Sequence, residues 1–116
     1  MPKKLRIKNR FEETLINFSD VSYIEQCRSK IFIHSGEKTY WEYCSMEEIL
    51  SRLDERMFRC HHSLAVNLDL IYSMRITELD LSVGQTLGMS RNALRLTKRA
   101  WEKRLNEKEL QEKTSQ

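Results

Sequence analysis

Apolar and polar residues alternate with a period of two along most of this chain, a pattern that reads as β-structure. Leu5 and Ile7 alternate with Arg6 and Lys8, and Val21 and Tyr23 flank Ser22, with Ile24 following. Ile31 to His34 is β-branched and aromatic, and Ser35-Gly36-Glu37 signals a turn into Thr39-Tyr40-Trp41. The longest alternation covers residues 72–83. Tyr72, Met74 and Ile76 share one face, and Ser73, Arg75 and Thr77 the other. Leu79, Leu81 and Val83 then alternate with Asp80 and Ser82, and Gly84 turns the chain toward Thr86 and Leu87. Strands that bury one face and wet the other belong to antiparallel sheets.

Two segments change to a helical period. Ser45-Met46-Glu47-Glu48 has the form of a capping box, and Met46, Ile49, Leu50 and Leu53 then fall at i, i+3, i+4 and i+7. This predicts a short helix over about 45–53. A second helix is expected over about 91–105, with Ser90 as its cap and a thinner stripe of Leu94, Trp101 and Leu105. The expected fold class is mainly β with these two helices. Residues 1–4 read as an N-terminal tail and 5–105 as one domain. Residues 106–116, rich in Glu, Lys and Gln, read as a polar C-terminal tail that frays.

Composition narrows the function. At 40% hydrophobic and 32% charged over 116 residues, the chain reads as a globular domain large enough for its own core. No apolar run approaches the roughly 20 residues of a membrane helix, so no membrane is expected as partner. Met1 to Arg10 is basic but leads into no apolar segment, which argues against a signal peptide. Cys27, Cys44 and Cys60 form an odd set without CxxC spacing, which favours a reducing, cytoplasmic compartment.

The net charge of +3 is small, but it is unevenly placed. Lys3, Lys4, Arg6, Lys8 and Arg10 crowd the first ten residues without an acid. Residues 11–60 are net −4, and residues 91–104 are net +5. Basic ends around an acidic middle point to one side that meets a polyanion. A solvated arm and an ordinary basic helix face would give the same pattern.

Residues 57–71 carry the densest chemistry: His61, His62, Ser63 and Asn67 lie between apolar residues, with Arg59 just ahead. Such groups must be satisfied internally or offered to a ligand. His61 reads either as a hydrogen-bonded structural histidine or as a ligand. His62 falls on the other face of an extended segment, and Asn67 reads either as a turn former or as a contact. A nucleophilic Cys60 would need a base on its own side, whereas sequence neighbours on a strand point apart. Cys27, His34, Cys44, Cys60, His61 and His62 lack the paired spacing of a zinc site, and Cys27 and Cys44 read as small core residues. Neither GxGxxG nor GxxxxGK[ST] occurs. No enzyme, metal or cofactor is expected. Arg91, in the first turn of the second helix, faces the positive end of the helix dipole, where local stability does not call for a cation. An anion or a guanine edge would explain it.

Five segments carry a family resemblance in order. They are Asp20-Val21-Ser22-Tyr23-Ile24-Glu25, Lys30-Ile31-Phe32-Ile33-His34 and Ile49-Leu50-Ser51-Arg52-Leu53-Asp54, then Phe58-Arg59-Cys60-His61-His62-Ser63 with Val66-Asn67, and Met89-Ser90-Arg91-Asn92. Over roughly residues 5–105 the chain resembles the LytTR family, the LytR/AgrA-type DNA-binding domain of bacterial response regulators. The resemblance implies an elongated fold of small antiparallel sheets whose loops enter successive major grooves. It implies sequence-specific binding of double-stranded DNA at promoter direct repeats, with a second copy on the adjacent repeat, RNA polymerase as a possible further partner, and control of transcription within two-component systems. It assigns base contacts to Arg28, Ser29 and Lys30, to His62 and to Arg91, and phosphate contacts to Ser63, Asn92, Arg95 and Lys98. Relatives often carry Arg or Asn where this chain has His62. The match has no receiver domain ahead of it in this sequence, which fits a stand-alone regulator or a piece of a longer one. The rival reading is a basic protein-interaction or anionic-surface-binding module without sequence-specific DNA recognition.

Overall fold

Alternation along the chain becomes a series of antiparallel hairpins in the structure, a computed structural model that describes residues 3–114. Backbone contacts divide it into two compact units, one ending at Asn67 and the other beginning at Leu68.

The first unit holds β1 (Lys4–Lys8), β2 (Glu13–Asn17), β3 (Tyr23–Cys27), β4 (Lys30–Ser35), β5 (Lys38–Tyr43), α1 (Met46–Ser51), β6 (Met57–His61) and β7 (Leu64–Asn67). β1 and β2 pair as a hairpin, and the others form a five-stranded sheet in the order β5-β4-β3-β7-β6. The inward residues Leu5, Ile7 and Ile16 of the hairpin join Ile24, Ile31 and Ile33 of the sheet and Met46 and Ile49 of α1 in one core. Ile24 is fully buried there, so truncating it to alanine would cost about 2–5 kcal/mol. β2 has no marked alternation: Leu15 and Ile16 are adjacent, and only Ile16 is buried.

Ser45 caps α1 by accepting the Glu48 amide at 3.0 Å. The Glu48 carboxylate pairs with Arg52 at 3.1 Å. α1 ends at Ser51, two residues short of expectation, although Leu53 still packs against the core. Cys44 also packs there, but Cys27 is exposed at the end of β3, contrary to the core role expected for it. The fully buried Asn67 is neither turn nor surface contact: its side-chain amide donates to the Val21 carbonyl at 2.8 Å.

The second unit holds β8 (Ile71–Met74), β9 (Glu78–Leu81), β10 (Thr86–Gly88) and α2 (Arg91–Thr114). Its sheet order is β10-β9-β8. The alternating run of residues 72–83 is therefore two strands, closed by the Arg75 amide donating to the Glu78 carbonyl at 2.7 Å. Leu79 and Leu81 are buried, whereas Tyr72 and Ile76 are 63% and 70% exposed. Gly84, at φ +88°, supplies the left-handed turn after β9.

α2 runs well past residue 105, so the described part of the expected tail is helical. Asp69 anchors α2 on both sides of the expected boundary. It lies in a 3-10 turn at Leu68–Leu70 and accepts Arg104 at 2.6 and 3.1 Å and Lys108 at 2.8 Å. Burial would raise the Asp69 carboxyl, but the hydrogen bonds from Arg104 and Lys108 outweigh it and hold the group at about 2. Among the described residues, no helix is long and apolar enough to cross a membrane.

Candidate nucleic-acid interface

In the first unit, two tight turns meet at one end of the five-stranded sheet. Arg28 and Ser29 link β3 to β4, where Cys27 pairs with Lys30. His62 and Ser63 link β6 to β7, where His61 pairs with Leu64. β3 also pairs with β7, and the Gln26 amide donates to the Ser63 carbonyl at 2.9 Å. The sheet register thus brings Arg28, Ser29, Lys30, His62 and Ser63 together. Arg28, Ser29 and His62 are exposed, and Lys30 and Ser63 are half-buried.

Each turn has its own support. Arg28 has φ +59°, a left-handed conformation that costs a non-glycine residue roughly 1–2 kcal/mol. Its carbonyl accepts the Gln26 side-chain amide at 3.3 Å. The Lys30 ammonium lies 4.5 Å from the Trp41 ring centroid and 5.4 Å from that of Tyr43, a cation–π seat on β5. The β6–β7 turn is braced from behind. Arg59 donates to the His62 carbonyl at 2.6 Å and to the Glu47 carboxylate at 2.8 Å. His61 Nδ1 accepts the Ser63 hydroxyl at 3.0 Å and the Ser63 amide at 3.3 Å. Nδ1 thus acts as the acceptor, which leaves the ring proton on Nε2. The His61 and His62 rings lie 4.1 Å apart.

His61 takes the hydrogen-bonded structural role that the sequence offered as one of its two readings, whereas Arg59, Trp41 and Tyr43 were not foreseen as supports of these turns. Arg59 lies within the motif of residues 58–63, but its reach to the His62 carbonyl, beside a register shift between Arg59 and His61, is a feature of the folded turn.

In the second unit, Ser90 caps α2 by accepting the Ala93 amide at 3.1 Å. Arg91 follows, exposed, in a first turn without an acidic residue. Asn92 accepts from Arg95 at 2.7 Å, so these two side chains hold one another. Lys98 makes only a loose 4.0 Å pair with Glu102. Arg91, Arg95 and Lys98 line one side of an open groove of about 690 Å³, with Tyr72, Met74 and Ile76 opposite.

A family model, the LytTr DNA-binding domain, matches residues 12–102. The chain belongs to the LytTR family. A solved structure described as the LytTr DNA-binding domain of a putative methyl-accepting/DNA response regulator from Bacillus cereus superposes with a TM-score of 0.69. It shares 22% identity with this chain, and the match covers 84% of this chain and 95% of that one, a likeness of fold. No curated protein matches the chain. As a LytTR domain, the chain is a DNA-binding module of mostly antiparallel β-sheet with a C-terminal helix.

Two thiols of this LytTR domain, Cys44 and Cys60, are turned toward the protein rather than toward a substrate. Burial, with a hydrogen bond and negative charge from Glu42, pushes Cys44 up to about 12. Cys60 is buried and donates to the Leu64 carbonyl at 3.4 Å, while the His61 ring engages Ser63. Among the described residues, no group of three His, Cys, Asp or Glu is placed to hold a metal.

Proposed function

We propose that this LytTR domain binds double-stranded DNA sequence-specifically at promoter direct repeats and regulates bacterial transcription. Arg28, Ser29, Lys30, His62 and Arg91 read base edges. Ser63, Asn92, Arg95 and Lys98 hold phosphates and so set the register. The observation that carries this reading is the meeting of two exposed polar turns at one sheet end, one of them holding a strained arginine. Backbone strain of that kind persists where a side chain must be aimed. Arg28 and Arg91 can each grip the two acceptors of guanine, while His62 offers one donor or one acceptor per ring nitrogen. A base that takes Lys30 from its aromatic seat gives up about 0.5–1 kcal/mol, which lowers the net contribution of that residue. A second copy sits on the adjacent repeat, and RNA polymerase is the downstream partner.

The test is selection of bound duplexes from a random pool, with heparin as competitor. Enrichment of a repeated motif that survives heparin is the expected result. A pool that stays random, with all binding lost to heparin, would leave only a nonspecific basic surface.

A further inference from the structure

The second unit contains a concave surface that DNA contacts alone do not account for. The groove between β8 with its following loop and α2 has a volume of about 690 Å³, within the range of about 300–1,000 Å³ typical of small-molecule sites. Its floor is apolar and aromatic: Tyr72, Met74 and Ile76 on the strand side face Leu94 and Trp101 on the helix. Tyr72 and Ile76 are largely exposed, and a phosphate backbone would leave both wet.

The rim is cationic. Arg91, Arg95 and Lys98 rise from α2 and Arg75 from the strand side, and the lining contains no Asp or Glu. Arg75 is neutralised by Asp80, at 2.5 and 3.0 Å. Arg91 has no ion-pair partner among the described residues, Arg95 bonds only the neutral Asn92 among them, and Lys98 is loosely paired. Three under-compensated cations therefore stand over an apolar bed.

We propose that this groove is a binding site for a small amphipathic organic anion, an aromatic or aliphatic body bearing one carboxylate or sulfonate. The body covers Tyr72, Ile76 and Trp101, and the acidic head takes Arg91 and Arg95 in charge-assisted hydrogen bonds. The regulatory consequence rests on the DNA reading above: the head occupies cations assigned to base and phosphate, so ligand and DNA exclude one another.

The full chain is titrated calorimetrically with 8-anilinonaphthalene-1-sulfonate and with its uncharged analogue N-phenyl-1-naphthylamine. One-to-one binding of the sulfonate, at least ten-fold tighter than the analogue, is expected. Arg95→Glu and Ile76→Glu, both at exposed positions, each weaken it ten-fold or more with unchanged circular dichroism. Equal binding of the two dyes, many weak sites, or indifference to both substitutions overturns the proposal. Sedimentation with phosphatidylglycerol vesicles without one-to-one dye binding also overturns it, in favour of a lipid surface. Dye that binds as expected but fails to displace duplex DNA upholds the groove and removes Arg91 and Arg95 from the DNA contacts. The two readings can therefore fail separately.

Discussion

The start and the middle of α2 use their cations in opposite ways. Near its middle, Arg104 and Lys108 converge on Asp69, a carboxylate 35 residues from Arg104 in sequence. At its start, Arg91, Arg95 and Lys98 stand without a firm carboxylate partner among the described residues, and Arg91 opposes the helix dipole. A cation given a well-placed acid serves the fold. A cation left without one, where the dipole disfavours it, is available to a polyanion. Counting charges along the helix would not separate these groups, whereas the position of the acids does.

The largest effect expected from this contrast is on stability. Arg104→Ala removes two of the three charge-assisted contacts of Asp69 and should lower unfolding free energy by about 1–3 kcal/mol. Affinity for a selected DNA site should stay within two-fold of wild type (roughly 0.4 kcal/mol). Chemical denaturation beside a DNA titration checks both, and a large loss of DNA affinity in a folded protein would erase the distinction. Arg91→Ala should do the reverse. Binding to the selected site weakens by about 1–3 kcal/mol and preference relaxes at one base pair, while stability is unchanged or rises by a few tenths of a kcal/mol, roughly the dipole penalty. Equal losses on selected and random DNA would remove Arg91 as a base reader.

The Asp69 cluster also makes stability depend on pH. Asp69 titrates near 2 in the folded chain and near its ordinary value of about 3.9 when unfolded. The depressed value means that its contribution is complete above about pH 4 and lost as pH falls toward 2. Asp69→Asn should flatten the stability profile in that window, as read by thermal melts at successive pH values. At the other sheet, Arg28→Gly relieves the left-handed strain and should raise stability by up to about 1 kcal/mol, with weaker DNA binding. A gain in both would show that the strained arginine is not used for recognition. The smallest change is expected of Lys98→Ala: a lowering of the salt slope by roughly one, with similar losses on all sequences.

Much of the fold is legible in local pattern, because strand alternation and the Ser45 cap express interactions between near neighbours. β2 is not legible, since its hairpin partner buries only one of two adjacent apolar residues. The motif around residues 58–67 points to the β6–β7 turn, but not to its braces. Arg59 folds back on the His62 carbonyl beside a register shift, and its second partner Glu47 comes from α1. Cys27 looks apolar enough for a core and lies instead at the exposed end of β3.

From the order of residues alone came the strand-rich class, the two helix starts and the DNA-binding family. All of these depend on periods and motifs within a few positions. Only tertiary structure decided that residues 28–30 and 62–63 share one sheet end, because that follows from β3 pairing with both β4 and β7. It also decided that α2 runs past residue 105, with Arg104 and Lys108 held on Asp69, and that Tyr72 and Ile76 face a cationic groove. Pairing partners distant in sequence leave no periodic trace in it, and the geometry appears only when the chain closes on itself.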